Sequence, residues 1–250
     1  MSPLRAQALL DAWEDGVGGS PTSRALGLLA ATSPGVEAGH LAELSLGARD
    51  VELLRMRALL FGNGVDAVGH CPACGTALDI GFDLRDLLGS APERMSVESP
   101  PPSGQVIVDG YLATVRAPDS NDILAVIDAE AERVSGDPAR SLLDRCVIEL
   151  TPPGERAAPV PEHIAEALAT EIARLDPFAL IELDLTCEDC GHSWRSPFDV
   201  VSFVWIEIGA WARRLLREVH TLASAYGWRE ADILAMSPWR RAAYLELVAG

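Results

Sequence analysis

Lysine is absent from this sequence of 250 residues, and asparagine occurs only twice, at Asn63 and Asn121. The 20 basic residues are therefore all arginines, and 37 acidic residues outnumber them to leave a formal net charge of −17. Nucleic acids and anionic membrane surfaces are bound mainly through basic side chains. The charge of this chain argues against both of these partners.

The sequence also lacks a long hydrophobic run. Its most apolar window, residues 200–212, includes Glu207 and Gly209 and falls well short of the ~20 residues that span a bilayer. Asp11 and Glu14 interrupt the N-terminal stretch, so no apolar core of a signal peptide forms there. We therefore expect a cytoplasmic protein, in a reducing compartment where disulfides are rare.

Common catalytic motifs are missing as well. The sequence contains no glycine-rich phosphate loop, no HExxH, no GxSxG and no GxGxxG. We therefore predict that the protein is not an enzyme. Isolated or clustered polar residues are interpreted as solvent-exposed side chains of helices and loops, namely His40, Asp128, Glu130, Glu132, His163 and His220.

One pattern occurs twice without a gap, at residues 71–84 and 187–200. Both copies read Cys-x-x-Cys-Gly and later Phe-Asp, at identical positions. Two cysteines three residues apart place both thiolates on one side of a tight turn, and the following glycine allows a left-handed backbone. Each such knuckle supplies two ligands, whereas Zn²⁺ takes four in a tetrahedron. The repeat therefore predicts one closed, structural zinc site formed by Cys71, Cys74, Cys187 and Cys190.

Other interpretations of these cysteines stay open. The pairs could form disulfides or redox motifs, although neither lies in a thioredoxin-like βαβ context, or they could hold a metal shared between chains. His70 and His192 flank the knuckles and could donate hydrogen bonds to thiolates, but surface positions are the simpler expectation. The fifth cysteine, Cys146, is expected to be a small buried apolar residue.

The predicted fold is α+β, mostly helical, and organised around a zinc ribbon split by a long insertion. We expect an N-terminal helical region at 1–65, the two halves of the ribbon at 66–90 and 179–198, an insertion of hairpin and helices at 91–178, and C-terminal helices at 199–250.

Local signals place the main elements within this frame. Asp109-Gly110 between two apolar runs predicts a tight β-hairpin, because both residues tolerate a positive φ angle. Apolar periodicity and capping residues predict a first helix that begins at Ser2-Pro3. They predict further helices at 22–31, 48–61, 119–134, 137–146, 162–175, 199–226, 230–235 and 238–248. Strands are predicted at 78–80 and 180–185, a linker at 98–104 and a loop at 152–161.

Two short helices behind a long one could also form a helix-turn-helix. A zinc-ribbon transcriptional regulator that binds DNA or RNA polymerase is therefore the alternative function. However, residues 199–250 contain six arginines and six acidic residues, whereas a recognition helix normally lies in a basic surface. The simpler expectation is a helical corner in which Trp228, Ile233, Leu234 and Tyr244 pack on the long helix.

Three segments carry a family resemblance: 44–54 (LSLGARDVELL), 215–228 (LLREVHTLASAYGW) and 233–245 (ILAMSPWRRAAYL). With the knuckles between them, they resemble the baseplate hub assembly family of contractile-tailed phages and phage-tail-like injection systems, most densely over 205–248. The family is not defined by zinc knuckles, so these depart from its pattern. The resemblance implies a non-enzymatic assembly factor or minor structural component whose partners are other baseplate, hub or tube proteins. It would act in the cytoplasm or become part of the particle.

Overall fold

The computed structural model describes residues 3–89, 91, 100–132, 137–151 and 160–250. Several expected features therefore lie outside the described residues: the Ser2 cap, part of the linker at 98–104, the helix end at Val134, and most of the loop at 152–161.

Within the described chain, helices predominate and the strands are short. The helices are α1 (Pro3–Asp15), α2 (Pro21–Thr32), α3 (Ala38–Ala42), α4 (Leu46–Phe61), α5 (Leu84–Leu88), α6 (Ser120–Ala131), α7 (Pro138–Cys146), α8 (Glu162–Leu175), α9 (Val200–Tyr226), α10 (Glu230–Leu234) and α11 (Pro238–Ala249). The strands are β1 (Gly64–His70), β2 (Ala77–Asp83), β3 (Ser103–Val108), β4 (Tyr111–Arg116), β5 (Val147–Thr151), β6 (Glu182–Thr186) and β7 (Ser193–Pro197). The mostly helical α+β class is confirmed.

The chain forms two compact units. The helical unit comprises Met1–Val36, Leu53–Gly62 and Val200–Gly250. The sheet unit comprises Glu37–Glu52 and Asn63–Asp199.

The long helix α9 is the centre of the helical unit. Its apolar side chains recur at helical spacing, so that one side of the helix is buried against α1, α2, α10 and α11. Gly227, with φ of 68°, follows its last residue and accommodates the left-handed turn that ends the helix. Ile233 and Leu234 are buried and Trp228 stacks on Tyr226, in line with the expected helical corner.

Arg57 forms an ion pair inside the helical unit. Its guanidinium donates two hydrogen bonds to the Glu207 carboxylate, at 2.7 and 2.8 Å, and a third to the Gly62 carbonyl at 2.7 Å. The Arg57 side chain is only 4% exposed, so these bonds satisfy a charge that burial would otherwise make costly.

Among its described residues, the sheet unit contains three small antiparallel sheets: β1–β2, β3–β4–β5 and β6–β7. The predicted hairpin is confirmed as β3–β4, in which Asp109 and Gly110 have φ of 49° and 80°, as a tight two-residue turn requires. One face of this sheet packs on α8, whose Ile164 and Leu168 are fully buried. The bounds of α8 match the helix predicted from its apolar stripe.

A hydrogen bond joins two segments of the sheet unit that are distant in the sequence. Asp176, directly after α8, accepts a hydrogen bond of 2.8 Å from the N–H of Gly47 in the first turn of α4. The carboxylate thus caps the positive end of that helix. Burial raises the pKa of Asp176, against the opposing effect of the bonds from Gly47 and Ser45.

The length and apolar character that a bilayer span requires are not combined in any helix of the described chain.

Candidate metal centre

The first knuckle is the turn between β1 and β2. The N–H of Cys71 donates to the carbonyl of Thr76 at 2.9 Å, and the N–H of Gly75 donates to the carbonyl of Cys71 at 2.8 Å. Gly75 has φ of 78°, in the left-handed region where a Cβ would be strained. The glycine is therefore needed to direct both sulfur atoms to one side.

The second knuckle, between β6 and β7, repeats this geometry. The N–H of Cys187 donates to the carbonyl of His192, and the N–H of Gly191 donates to the carbonyl of Cys187, both at 2.9 Å. Gly191 has φ of 72°. The repeat seen in the sequence is thus a repeat in structure.

The two knuckles bring four thiols together. The Sγ atoms of Cys71, Cys74, Cys187 and Cys190 all lie within 4.8 Å of one another, close enough to hold a metal ion. Both the Cys71–Cys190 and the Cys74–Cys187 sulfur pairs are separated by 3.7 Å. A tetrahedron with Zn–S bonds of 2.3 Å has sulfur–sulfur edges of about 3.8 Å. The donor set therefore fits a tetrahedral, thiolate-preferring cation, and all four cysteines are free thiols rather than disulfides.

Without a cation, the four thiols cannot all ionise easily. Hydrogen bonding to the hydroxyl and N–H of Thr76 lowers the pKa of Cys74 to about 6. At Cys190 the N–H of His192 favours the thiolate, but the neighbouring sulfur atoms of Cys74, Cys71 and Cys187 outweigh it and raise the pKa to about 12. A divalent cation removes this conflict, because its charge stabilises every thiolate of the cluster.

The other cysteine and the flanking histidines do not belong to the cluster. Cys146 is 1% exposed, and burial raises its pKa to about 12, which suits the expected small buried residue and disfavours a nucleophile. His70 and His192 are exposed, and the ring of His192 stacks on Trp194 with centroids 5.8 Å apart. Surface positions are therefore confirmed for both histidines. The polar residues expected on solvated surfaces are also exposed: His40, Asp128, Glu130, Glu132, His163 and His220.

The sheet unit also contains a buried group of carboxylates that was not expected from the sequence. Asp122 accepts two hydrogen bonds from Arg116, at 2.7 and 2.9 Å, and shares a capping box with Asp119. Burial opposes the ionisation of Asp122, but the bonds from Arg116 and the N–H of Asp119 outweigh it and keep its pKa low. The spacing of the two aspartates before an apolar run was the only signal for this group, and it indicated a helix cap rather than buried charges.

No model of a known protein family matches the chain, and the comparisons with curated proteins and with solved structures found no match.

Proposed function

We propose that the four cysteines hold a structural Zn²⁺ ion, and that the protein is a non-enzymatic assembly factor or minor structural component of a baseplate or hub. The machine would be a phage-tail-like contractile injection system. The proposal has two parts, the metal and the protein-binding role, and each rests on its own observation.

The zinc assignment is supported by the chemistry of the donors. Four thiolates are soft ligands, and they fill the tetrahedral coordination of Zn²⁺ without leaving a position for water or substrate. Such a site contributes to folding rather than to catalysis. Replacement of the bound metal by Co²⁺ provides a test: a tetrahedral thiolate site gives intense sulfur-to-cobalt absorption bands, and octahedral spectra would contradict it.

The protein-binding role is carried by one observation, the exposure of Trp239. This side chain is 81% exposed on α11, and Leu247, eight positions later on the same side of the helix, is 72% exposed. Tryptophan is the residue most enriched at the energetic centres of protein interfaces. The segment 233–245, which resembles the baseplate family, includes this tryptophan.

A pull-down with matched variants tests the role. The tagged protein, purified from its native host, is expected to retain tube, sheath or baseplate proteins identified by mass spectrometry. Trp239→Ala should lose most of this material, whereas Leu59→Ala, which removes a side chain 82% exposed on α4, should retain it. Equal recovery with both variants, or no phage-like protein with the wild type, would contradict the proposal.

The alternative function is a regulator that binds DNA or RNA polymerase. It is favoured by the three-residue connection between α10 and α11, which is the length found in helix-turn-helix motifs. The acidic charge of the chain opposes it. Retention of the protein on a DNA column at low salt, and its release by salt, would support this alternative.

A further inference from the structure

The charge of the protein is divided unevenly between its two units. The helical unit contains ten arginines and eight acidic residues, for a net charge of +2. The sheet unit contains ten arginines and 29 acidic residues, for a net charge of −19. The overall value of −17 therefore conceals a unit that carries a slight positive charge.

Within the helical unit, exposed positive charge gathers on one side of α9. At 100° per residue, the following exposed positions fall within an arc of about 100°. We name them the α9 stripe: Ile206, Ala210, Arg213, Arg214 and Arg217. The opposite side of α9 is buried in the unit, so the stripe is the free side of the helix.

The arginines of the α9 stripe form no ion pairs with the residues that the structure describes. Arg57, Arg229 and Arg241 of the same unit are paired, Arg241 with Glu218 at 2.9 Å. Arg213 lies over the ring of Trp13, 5.8 Å from its centroid, and for Arg214 and Arg217 the described residues provide no carboxylate partner. Three neighbouring guanidinium groups therefore lie on one side of α9 without an ion pair among the described residues, and an acidic partner would complement them.

The N-terminal part of the α9 stripe is apolar. Ile206 is 69% exposed, and Ala210 follows it one turn later. Arg213 and Arg217 lie about 6 Å apart along the axis, the same separation as carboxylates spaced four residues apart on another helix. An apolar surface adds nothing to binding of phosphates, whereas it suits the apolar side of an amphipathic helix.

We propose that the α9 stripe is the docking surface for an acidic amphipathic helix of a partner protein. Apolar side chains of that helix cover Ile206 and Ala210, and its carboxylates pair with the arginines. The inference rests on the proposed protein-binding role, but it requires neither Trp239 nor a contractile injection system.

The test uses the purified full-length protein and a fluorescent peptide. The probe is a helical peptide of about 18 residues with leucine on one side and glutamate on the other. Fluorescence anisotropy should show binding that weakens as salt is raised. Arg214→Glu with Arg217→Glu should weaken binding about tenfold or more, because two attractive pairs become repulsive. Ile206→Ser should weaken it without changing the salt dependence.

Matched variants distinguish an effect of the α9 stripe from an effect of net charge. They also test the stripe independently of the proposed function. Arg174→Glu with Arg195→Glu changes the charge equally at side chains that are 69% and 70% exposed, and should leave binding unchanged. Trp239→Ala should also bind the peptide normally. A negative pull-down would therefore not contradict the α9 stripe as a docking surface. Absence of peptide binding, equal loss with the control pair, or tighter binding of duplex DNA to the same arginines would overturn the proposal.

Discussion

The rings of Phe82 and Phe198 meet edge to face, with centroids 5.4 Å apart and planes at 88°. They occupy equivalent positions in the two copies of the repeat, so the two copies contact each other through the same repeat position. Each phenylalanine precedes an aspartate and a helix, and Asp83 caps α5 by accepting a bond of 2.8 Å from the N–H of Arg85. Because an isolated two-stranded hairpin is only marginally stable, this ring pair and a metal ion bound by both knuckles are expected to stabilise the two hairpins together.

Removal of one ligand should therefore affect both hairpins. We expect Cys74→Ser to abolish binding of zinc and to lower the melting temperature, because the free energy of metal binding is part of the free energy of folding. Cys146→Ala removes a thiol outside the cluster and should retain one zinc per chain, at a cost of about 1 kcal/mol. Metal analysis and thermal melting measure both effects. A Cys74→Ser protein with one zinc per chain and an unchanged melting curve would exclude the shared site.

A pair of glycine substitutions should have opposite effects on stability. A Cβ at Gly47 would clash with the Asp176 carboxylate and lie 2.6 Å from the backbone nitrogen of Ala179. Gly47→Ala is therefore expected to destabilise the protein by about 1–3 kcal/mol, although alanine favours helices. Gly27→Ala, in α2, meets no atom within 4 Å and should stabilise by up to about 1 kcal/mol. Urea denaturation measures both; stabilisation by both would refute the close contact at Gly47.

Two buried aspartates should respond to pH with opposite signs. Burial raises the pKa of Asp176, so its contribution to stability is present below the pKa of the unfolded chain and is lost as pH rises through the higher folded value. Asp122 has a lowered pKa, so its contribution is present above the unfolded value and is lost as pH falls through the folded one.

Substitution by asparagine isolates these contributions. From about pH 7 to about pH 4, the wild type should gain stability relative to Asp176→Asn. Below about pH 4, the ordinary value for an unfolded aspartate, it should lose stability relative to Asp122→Asn. Denaturation at each pH gives these differences, in which the shared loss of metal in acid cancels. The same sign for both variants would show that the burial of Asp176 or the Arg116 bonds to Asp122 do not act as described.

The elements that sequence analysis located are those with local signals. Periodicity defined α8, and Asp109-Gly110 defined the β3–β4 hairpin, because each signal lies within the element itself. Strand β5 was missed, since its five residues directly follow a helix and become a strand by pairing with β4. The cysteine ligands were visible because their spacing within each knuckle encodes the turn.

Buried charges were not predictable in the same way. Arg57 interrupts the apolar pattern of α4 as a solvated residue would, yet its partner Glu207 lies 150 positions further along the chain. Asp176 likewise follows a helix end, where an exposed acid is common, and caps a helix 129 positions earlier. No local pattern distinguishes such residues from surface charges, because tertiary structure decides the outcome.

Cys74 and Cys187 lie 113 positions apart, so a metal ion held by both knuckles would close the whole segment between them into one loop of the chain. The entropy lost on closing a loop grows only with the logarithm of its length, and doubling the length costs about 0.6 kcal/mol. Extra residues inserted at an exposed turn such as Asp109-Gly110 would therefore scarcely raise the entropic cost of bringing the two knuckles together. The Asp109-Gly110 turn is therefore a suitable position for a new module, whether by natural insertion or by engineering of a reporter.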